Sequence, residues 1–186
     1  MITCILRRKR SHPEMDNIIL IGMPGSGKST VGVLLAKALG FDFIDTDLTL
    51  QQREGALLQN ILNERGTQAF LDLEQAAICC VACENCVISP GGSCVCRELS
   101  MAHLKGLGRV VYLRLPLEEL EARLNNISTR GIAMEPGQTL QDLYDYRTPL
   151  YQRWSDVTVN CAGQTLEETV AAVLRALIAQ ENQSKD

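Results

Sequence analysis

The stretch Gly22-Met23-Pro24-Gly25-Ser26-Gly27-Lys28-Ser29-Thr30 constrains this chain more than any other. It fits the pattern G-x-x-x-x-G-K-[S/T], follows the apolar run Ile18-Ile19-Leu20-Ile21 and opens a helical pattern from Val31 to Leu39. A strand, a glycine loop and a helix start in that order gather backbone N–H groups into an anion nest at the positive end of a helix. The pattern therefore assigns phosphate contacts to Gly25, Ser26, Gly27, Lys28, Ser29 and Thr30. Lys28 is expected to reach the β- and γ-phosphates, and the Ser29 hydroxyl to ligate Mg²⁺. The bland alternative is a glycine turn that holds no nucleotide. Its position between strand and helix favours the cradle, so the chain reads as a binder of a nucleoside triphosphate.

With 186 residues, 46% of them apolar, the chain suits one domain with a full core. Its net charge of −4 argues against a nucleic-acid partner, because no basic stripe is available to release counterions. No apolar run approaches the roughly 18 residues of a membrane span. Arg7-Arg8-Lys9-Arg10 follows a short apolar stretch rather than preceding one, the reverse of a signal peptide. The expectation is a cytoplasmic monomer. Residues 1–14 are read as a disordered extension before Met15, residues 15–180 as the domain, and 181–186 as a disordered tail. Six of the eight cysteines, Cys79, Cys80, Cys83, Cys86, Cys94 and Cys96, crowd into one segment. Cys80-x-x-Cys83-x-x-Cys86 is close to an iron–sulfur spacing. Plain packing of thiols as small hydrophobes and a redox-sensitive pair are the other readings.

Strand and helix patterns alternate along the whole chain. Strands are expected at 18–22, 42–44, 87–90, 110–115 and 156–160. Helices are expected at 28–39, 46–54, 56–83 (with a break near Arg65-Gly66), 97–104, 116–125, 139–155 and 165–180. Short runs rich in Val and Ile suit a buried parallel sheet. The fold class is accordingly α/β, a three-layer α/β/α sandwich with right-handed crossovers. Ligands of such sheets bind beyond the carboxyl ends of the strands, so the residues that follow each strand carry the functional reading. After the second strand, Asp45-Thr46-Asp47 offers two carboxylates, one for the metal's water shell and one for a substrate hydroxyl; a helix N-cap pair is the alternative. After the third, Gly91 and Gly92 permit close backbone approach to a ligand. Arg123 at the end of a helix and Arg130 within the polar stretch Asn125–Gly137 suit a lid over the phosphates, at about 123–138, and Arg147 suits a bidentate grip on a carboxylate.

Taken together, GMPGSGKSTVG from Gly22, FIDTD ending at Asp47, FLDLE at Phe70–Glu74, Gly91-Gly92, Arg130 and RTPLYQRWSD from Arg147 resemble the shikimate kinase family across about residues 17–178. The resemblance implies a P-loop kinase fold with a five-stranded parallel sheet, and ATP and Mg²⁺ as cofactors. In this reading Lys28 and Ser29 hold ATP, Asp45 assists the metal, and Asp47 meets the hydroxyl of a small hydroxy-acid substrate. Arg130 is the lid arginine, Arg123 lies beside the adenine, and Arg147 grips the substrate carboxylate. Lys28, Asp47 and Arg130 are thus the catalytic set, and Asp47, Glu74, Gly91, Gly92 and Arg147 the substrate contacts.

Two positions depart from the family pattern. Leu71 stands where a second carboxylate-binding arginine is expected, and Ser93 where a third glycine is expected. Without the arginine, Glu74 must protonate or find another cation. A substrate ammonium would serve, which makes homoserine, or another small hydroxy acid, the alternative acceptor to shikimate. A non-catalytic nucleotide-binding or redox-sensing module is the remaining reading, and a nucleotide acceptor finds too few arginines to support it.

Overall fold

The computed structural model describes residues 17–124, 132–134 and 137–183. The extension at 1–14, the tail beyond 183 and Arg130 lie outside the described residues, as does most of the expected lid.

Five strands form one sheet: β1 (Asn17–Ile21), β2 (Asp42–Asp45), β3 (Cys86–Ser89), β4 (Gly108–Arg114) and β5 (Val157–Asn160). Every neighbouring pair is parallel, in the order β2-β3-β1-β4-β5. β1 and β3 are buried at every position, which is why they read as unbroken apolar runs rather than alternations. The helices are α1 (Lys28–Leu39), α2 (Thr46–Glu54), α3 (Leu58–Cys79), α4 (Glu98–Leu107), α5 (Leu117–Leu124), α6 (Leu140–Trp154) and α7 (Leu166–Gln183). The connection from β1 to β2 runs one way across the sheet and that from β3 to β4 runs the other. Right-handed crossovers then put α1 and α4 on opposite faces, and α7 packs beside α1 while α3 packs beside α4. The crevice where the connections diverge opens between β1 and β3, and the glycine loop and the turn after β3 both sit there.

Several boundaries shift, each for a local reason. α3 breaks at Gly66, whose φ of 76° and ψ of 170° leave the helical region, close to the expected break. The helix ends at Cys79, not Cys83, so the cysteines disperse: Cys79 and Cys80 are exposed at its end, Cys83 lies in the connection and Cys86 is buried at the start of β3. Cys94–Cys96 forms a single 3₁₀ turn, and Arg97 precedes α4 instead of opening it. Pro116 likewise stands just before α5, its carbonyl accepting the Leu120 N–H. α7 continues to Gln183, into the stretch expected to be a disordered tail.

The main core spans both faces of the sheet, from Ile18–Ile21 and Val110–Leu113 to Leu35, Met101 and Val173. A second, smaller cluster joins Leu50, Ile61, Phe70, Leu71, Ala77 and Ala133 under α2 and α3. Leu71 belongs to this cluster and is 8% exposed, so it is part of an apolar wall. Among the described residues no helix is long and apolar enough to cross a membrane.

Candidate active site

The glycine loop leaves β1 at Ile21 and hands over to α1 at Gly27, the helix N-cap, in the left-handed conformation (φ 94°) that favours glycine. No side chain caps this helix, so its first N–H groups remain available to an anion. Ser26 Oγ is buried without a partner among the described residues. Lys28 is buried, and its Nζ donates to the Gly22 and Met23 carbonyls at 2.9 and 3.1 Å, arching over the loop. A Cβ on Gly27 would sit 3.9 Å from Arg123 Nη1, which puts that guanidinium, from the end of α5, at the mouth of the cradle. Exposed first-turn donors, an ammonium and an adjacent arginine fit a polyphosphate.

Oxygen donors line up on the sheet beside it. Asp45 ends β2 and is in register with Ser89 at the end of β3, and Ser89 Oγ lies 3.5 Å from Ser29 Oγ. Asp45 Oδ1 accepts the N–H groups of Asp47 and Leu48, so the carboxylate does serve as the N-cap of α2. The Ser29–Ser89 hydroxyl pair, with Asp45 on the strand next to Ser89, offers oxygen donors of the kind a hard divalent cation takes. Ser89 was not singled out from the sequence, because only the pairing of β3 with β1 brings it to Ser29.

The acceptor side is built on α2, α3 and the turn after β3. A Cβ on Gly91 would collide with Glu74 Oε1 and fall 2.6 Å from Asp47 Oδ1, so the two carboxylates converge on a position that only glycine leaves open. Gly92 packs against Pro24 of the phosphate loop, where an added Cβ would lie 2.8 Å from Pro24 Cδ. Its carbonyl accepts the Tyr151 hydroxyl at 2.5 Å, and Tyr151 is itself buried and stacked on Tyr112 with ring centroids 5.1 Å apart. The turn carrying Gly91 and Gly92 is thus clamped from α6.

Glu74 is 2% exposed, and Ser93 Oγ donates to its Oε1 at 2.8 Å. Oε2 has no hydrogen-bond partner among the described residues. Burial, reinforced by the Asp47 charge, pushes the Glu74 carboxyl up to about 7, against the Ser93 hydrogen bond and the charges of Arg147 and Lys28. The two departures from the family pattern therefore meet: where Leu71 brings no cation, Ser93 brings a hydroxyl. The sequence noted both changes, but the contact spans 19 residues and no local pattern encodes it.

A cavity of about 280 Å³ opens along α3 at Leu71, with Cys96, Arg97, Ala133 and Arg147 also in its wall. Arg147 is 3% exposed, its Nη2 donates to the Ala133 carbonyl at 2.8 Å, and its Nε is buried without a partner among the described residues. Cys96 shares the wall; burial raises its thiol, and the Arg147 charge opposes the rise. As for the cysteine segment, burial raises the Cys86 thiol to about 12, helped by its neighbour Cys83, so it stays protonated. Among the described residues no group of three or more His, Cys, Asp or Glu side chains is placed to hold a metal ion.

An anion cradle at the end of β1, a hydroxyl pair beside it, two carboxylates converging on Gly91 and a cavity walled by a buried arginine define a P-loop phosphotransferase. The family model described as shikimate kinase matches residues 24–178. The chain belongs to the shikimate kinase family, whose members are phosphotransferases acting on a hydroxyl group. It is 39% identical over 166 residues to a shikimate kinase of Pseudomonas paraeruginosa, covering 88% of this chain and 96% of that protein. Shikimate kinase from Acinetobacter baumannii, solved in complex with shikimate, superposes with a TM-score of 0.81 at 28% identity, covering 89% of this chain and 94% of that one. A further relative, threonine synthase-like 1 of Homo sapiens, is 36% identical over 164 residues; these are 87% of this chain but 22% of that longer protein.

Proposed function

We propose that this chain transfers the γ-phosphoryl group of ATP to a hydroxyl of shikimate, as a monomeric cytoplasmic enzyme. One observation carries the reading: Asp47 stands at the open position beside Gly91, in a turn that packs on the phosphate loop through Gly92 and Pro24. The relative crystallised with shikimate supports the choice of acceptor.

In this reading the N–H groups of Gly25 to Thr30 cradle the phosphates, Arg123 flanks the nucleotide, and Lys28 moves its ammonium from the loop carbonyls to the β- and γ-phosphates. Ser29 and Asp45 hold Mg²⁺, which supplies positive charge to the transferring phosphoryl group. Arg147 fixes the acceptor by its carboxylate, so that its hydroxyl meets Asp47. Asp47 orients that hydroxyl and takes its proton as the bond to phosphorus forms. Arg130 is assigned to the lid, adding charge stabilisation from above. Such catalysis is mainly positioning and electrostatics, which is why so few groups suffice.

A second acceptor is favoured by one feature: Glu74 Oε2 has no hydrogen-bond partner among the described residues, on a carboxylate whose other oxygen converges with Asp47 at Gly91. A substrate carrying both carboxylate and ammonium, homoserine being the simplest with a phosphorylatable hydroxyl, would place its cation there. The relative named threonine synthase-like 1 is compatible with an amino-acid acceptor. ADP release measured against shikimate, homoserine, gluconate and nucleoside monophosphates separates the readings. Shikimate-dependent release that Asp47→Asn lowers about 100-fold or more is the expected result. Homoserine turnover lost in Glu74→Gln would transfer the assignment. ATP binding without turnover of any acceptor would leave a nucleotide-binding module.

A further inference from the structure

Leu71 removes a positive charge from the face of α3 that lines the acceptor cavity, and a different residue restores one. Arg97, at the start of α4, reaches back across that helix. Its Nη2 donates to the Gln68 carbonyl at 3.4 Å, to Gln68 Oε1 at 3.3 Å and to Asp72 Oδ1 at 2.6 Å. Gln68 and Asp72 lie one turn before Leu71 and immediately after it, so the guanidinium rests over the stretch of helix where Leu71 is set. Arg97 and Arg147 line the same cavity, with Leu71 and Cys96 in its wall. The Cys96 thiol feels both guanidinium charges.

The way Arg97 is held leaves it able to take a ligand. Nη2 carries all three hydrogen bonds, while Nε is buried without a partner among the described residues. Arg147 is held in a similar way, its Nη2 donating to the Ala133 carbonyl and its side chain hydrogen-bonded to the Cys96 thiol, while its Nε is buried without a partner among the described residues. Buried guanidinium donors are rarely left unmatched unless a ligand supplies the acceptor. The Asp72 carboxylate is 68% exposed, so its ion pair with Arg97 is a weak surface contact that positions the arginine without neutralising it fully. On α3, Leu71 and Glu74 are three residues apart and share a face, a rise of about 4.5 Å. The face of α3 that sets Leu71 in the cavity wall therefore carries Glu74 about one turn further on.

We propose that Arg97 is a specificity-determining residue, forming with Arg147 a two-arginine clamp for the acceptor's carboxylate in place of a guanidinium at position 71. The inference rests on the acceptor-kinase reading above and names how that site recognises a carboxylate. The test compares wild-type protein and Arg97→Gln on shikimate and on its uncharged methyl ester, with KM and kcat measured for each and for ATP. The expected result is a KM for shikimate raised about tenfold to a hundredfold, the effect of one lost charge-assisted hydrogen bond. kcat and the KM for ATP stay unchanged, and the two proteins do not differ on the ester. A shikimate KM that does not move, or one that rises equally on the ester, overturns the clamp. If wild-type protein turns over no carboxylate-bearing acceptor at all, the function falls and the clamp with it. If it turns over an acceptor and Arg97→Gln matches it, the clamp alone falls.

Discussion

The carboxylate of Glu74 is held by a hydroxyl, with the nearest full charges supplied by Asp47, Arg147 and Lys28. A neutral donor compensates burial less than a cation does, and the raised proton affinity follows. The folded state keeps a proton on Glu74 up to about pH 7, whereas the ordinary value is 4.5. Between those values the folded protein binds more protons than the unfolded chain, so stability falls as pH rises through that window and levels off above it. The loss attributable to this group is up to about 3 kcal/mol. Urea unfolding at pH 5 and pH 8 should show it as a difference between wild type and Glu74→Gln: near parity at the lower pH, with the variant the more stable at the higher. Because the Ser93 bond opposes the shift, Ser93→Gly should carry the falling window to higher pH. Parallel pH profiles for all three proteins would refute this account of the site.

The start of β1 offers a different kind of test. Asn17 is 4% exposed and its amide makes three long-range bonds: Nδ2 donates to the Cys83 carbonyl at 2.8 Å and the Leu107 carbonyl at 3.0 Å, and Oδ1 accepts the Cys86 N–H at 2.9 Å. One side chain thus ties the lower ends of three adjacent strands together. Asn17→Ala should cost about 2–4 kcal/mol, since it strands buried backbone groups as well as losing bonds. The denaturant midpoint reports it, and ADP release by the folded fraction should be unaffected, the proposed catalytic groups lying at the opposite, carboxyl ends of the strands. Neither Asn17 nor Ser93 announced its role in the sequence. Periodicity and glycine placement did reveal α1 and α2 to the residue and the break of α3 at Gly66, because those depend on neighbours along the chain. The single turn Cys94–Cys96 and the reach of Arg97 across α3 depend on which segments pack together, and adjacent residues do not report that. The site divides in the same way. The phosphate cradle is contiguous and was read directly, whereas Ser89, Ser93, Arg97 and Tyr151 join the site only through strand register and helix packing.

The strand order assembles these parts into two separable halves. The nucleotide half hangs on β1 and α1, with Arg123 from α5; the acceptor half hangs on β3, α3 and α6. In the proposed function the nucleotide contacts are made without the acceptor, so a non-hydrolysable ATP analogue at a hundredfold excess over its Kd should raise unfolding free energy by about 2.7 kcal/mol with no acceptor present. Thermal unfolding with and without the analogue measures the gain, and Lys28→Ala should abolish it. A gain that appeared only with acceptor present would mean the halves form together. The division also bears on descent. Leu71 and Ser93, the two departures from the family pattern, both fall in the acceptor half, and the cradle from Gly22 to Thr30 keeps its full pattern. A lineage built this way can exchange its acceptor by altering a few side chains on one side of the crevice, while the phosphate-binding loop is inherited intact.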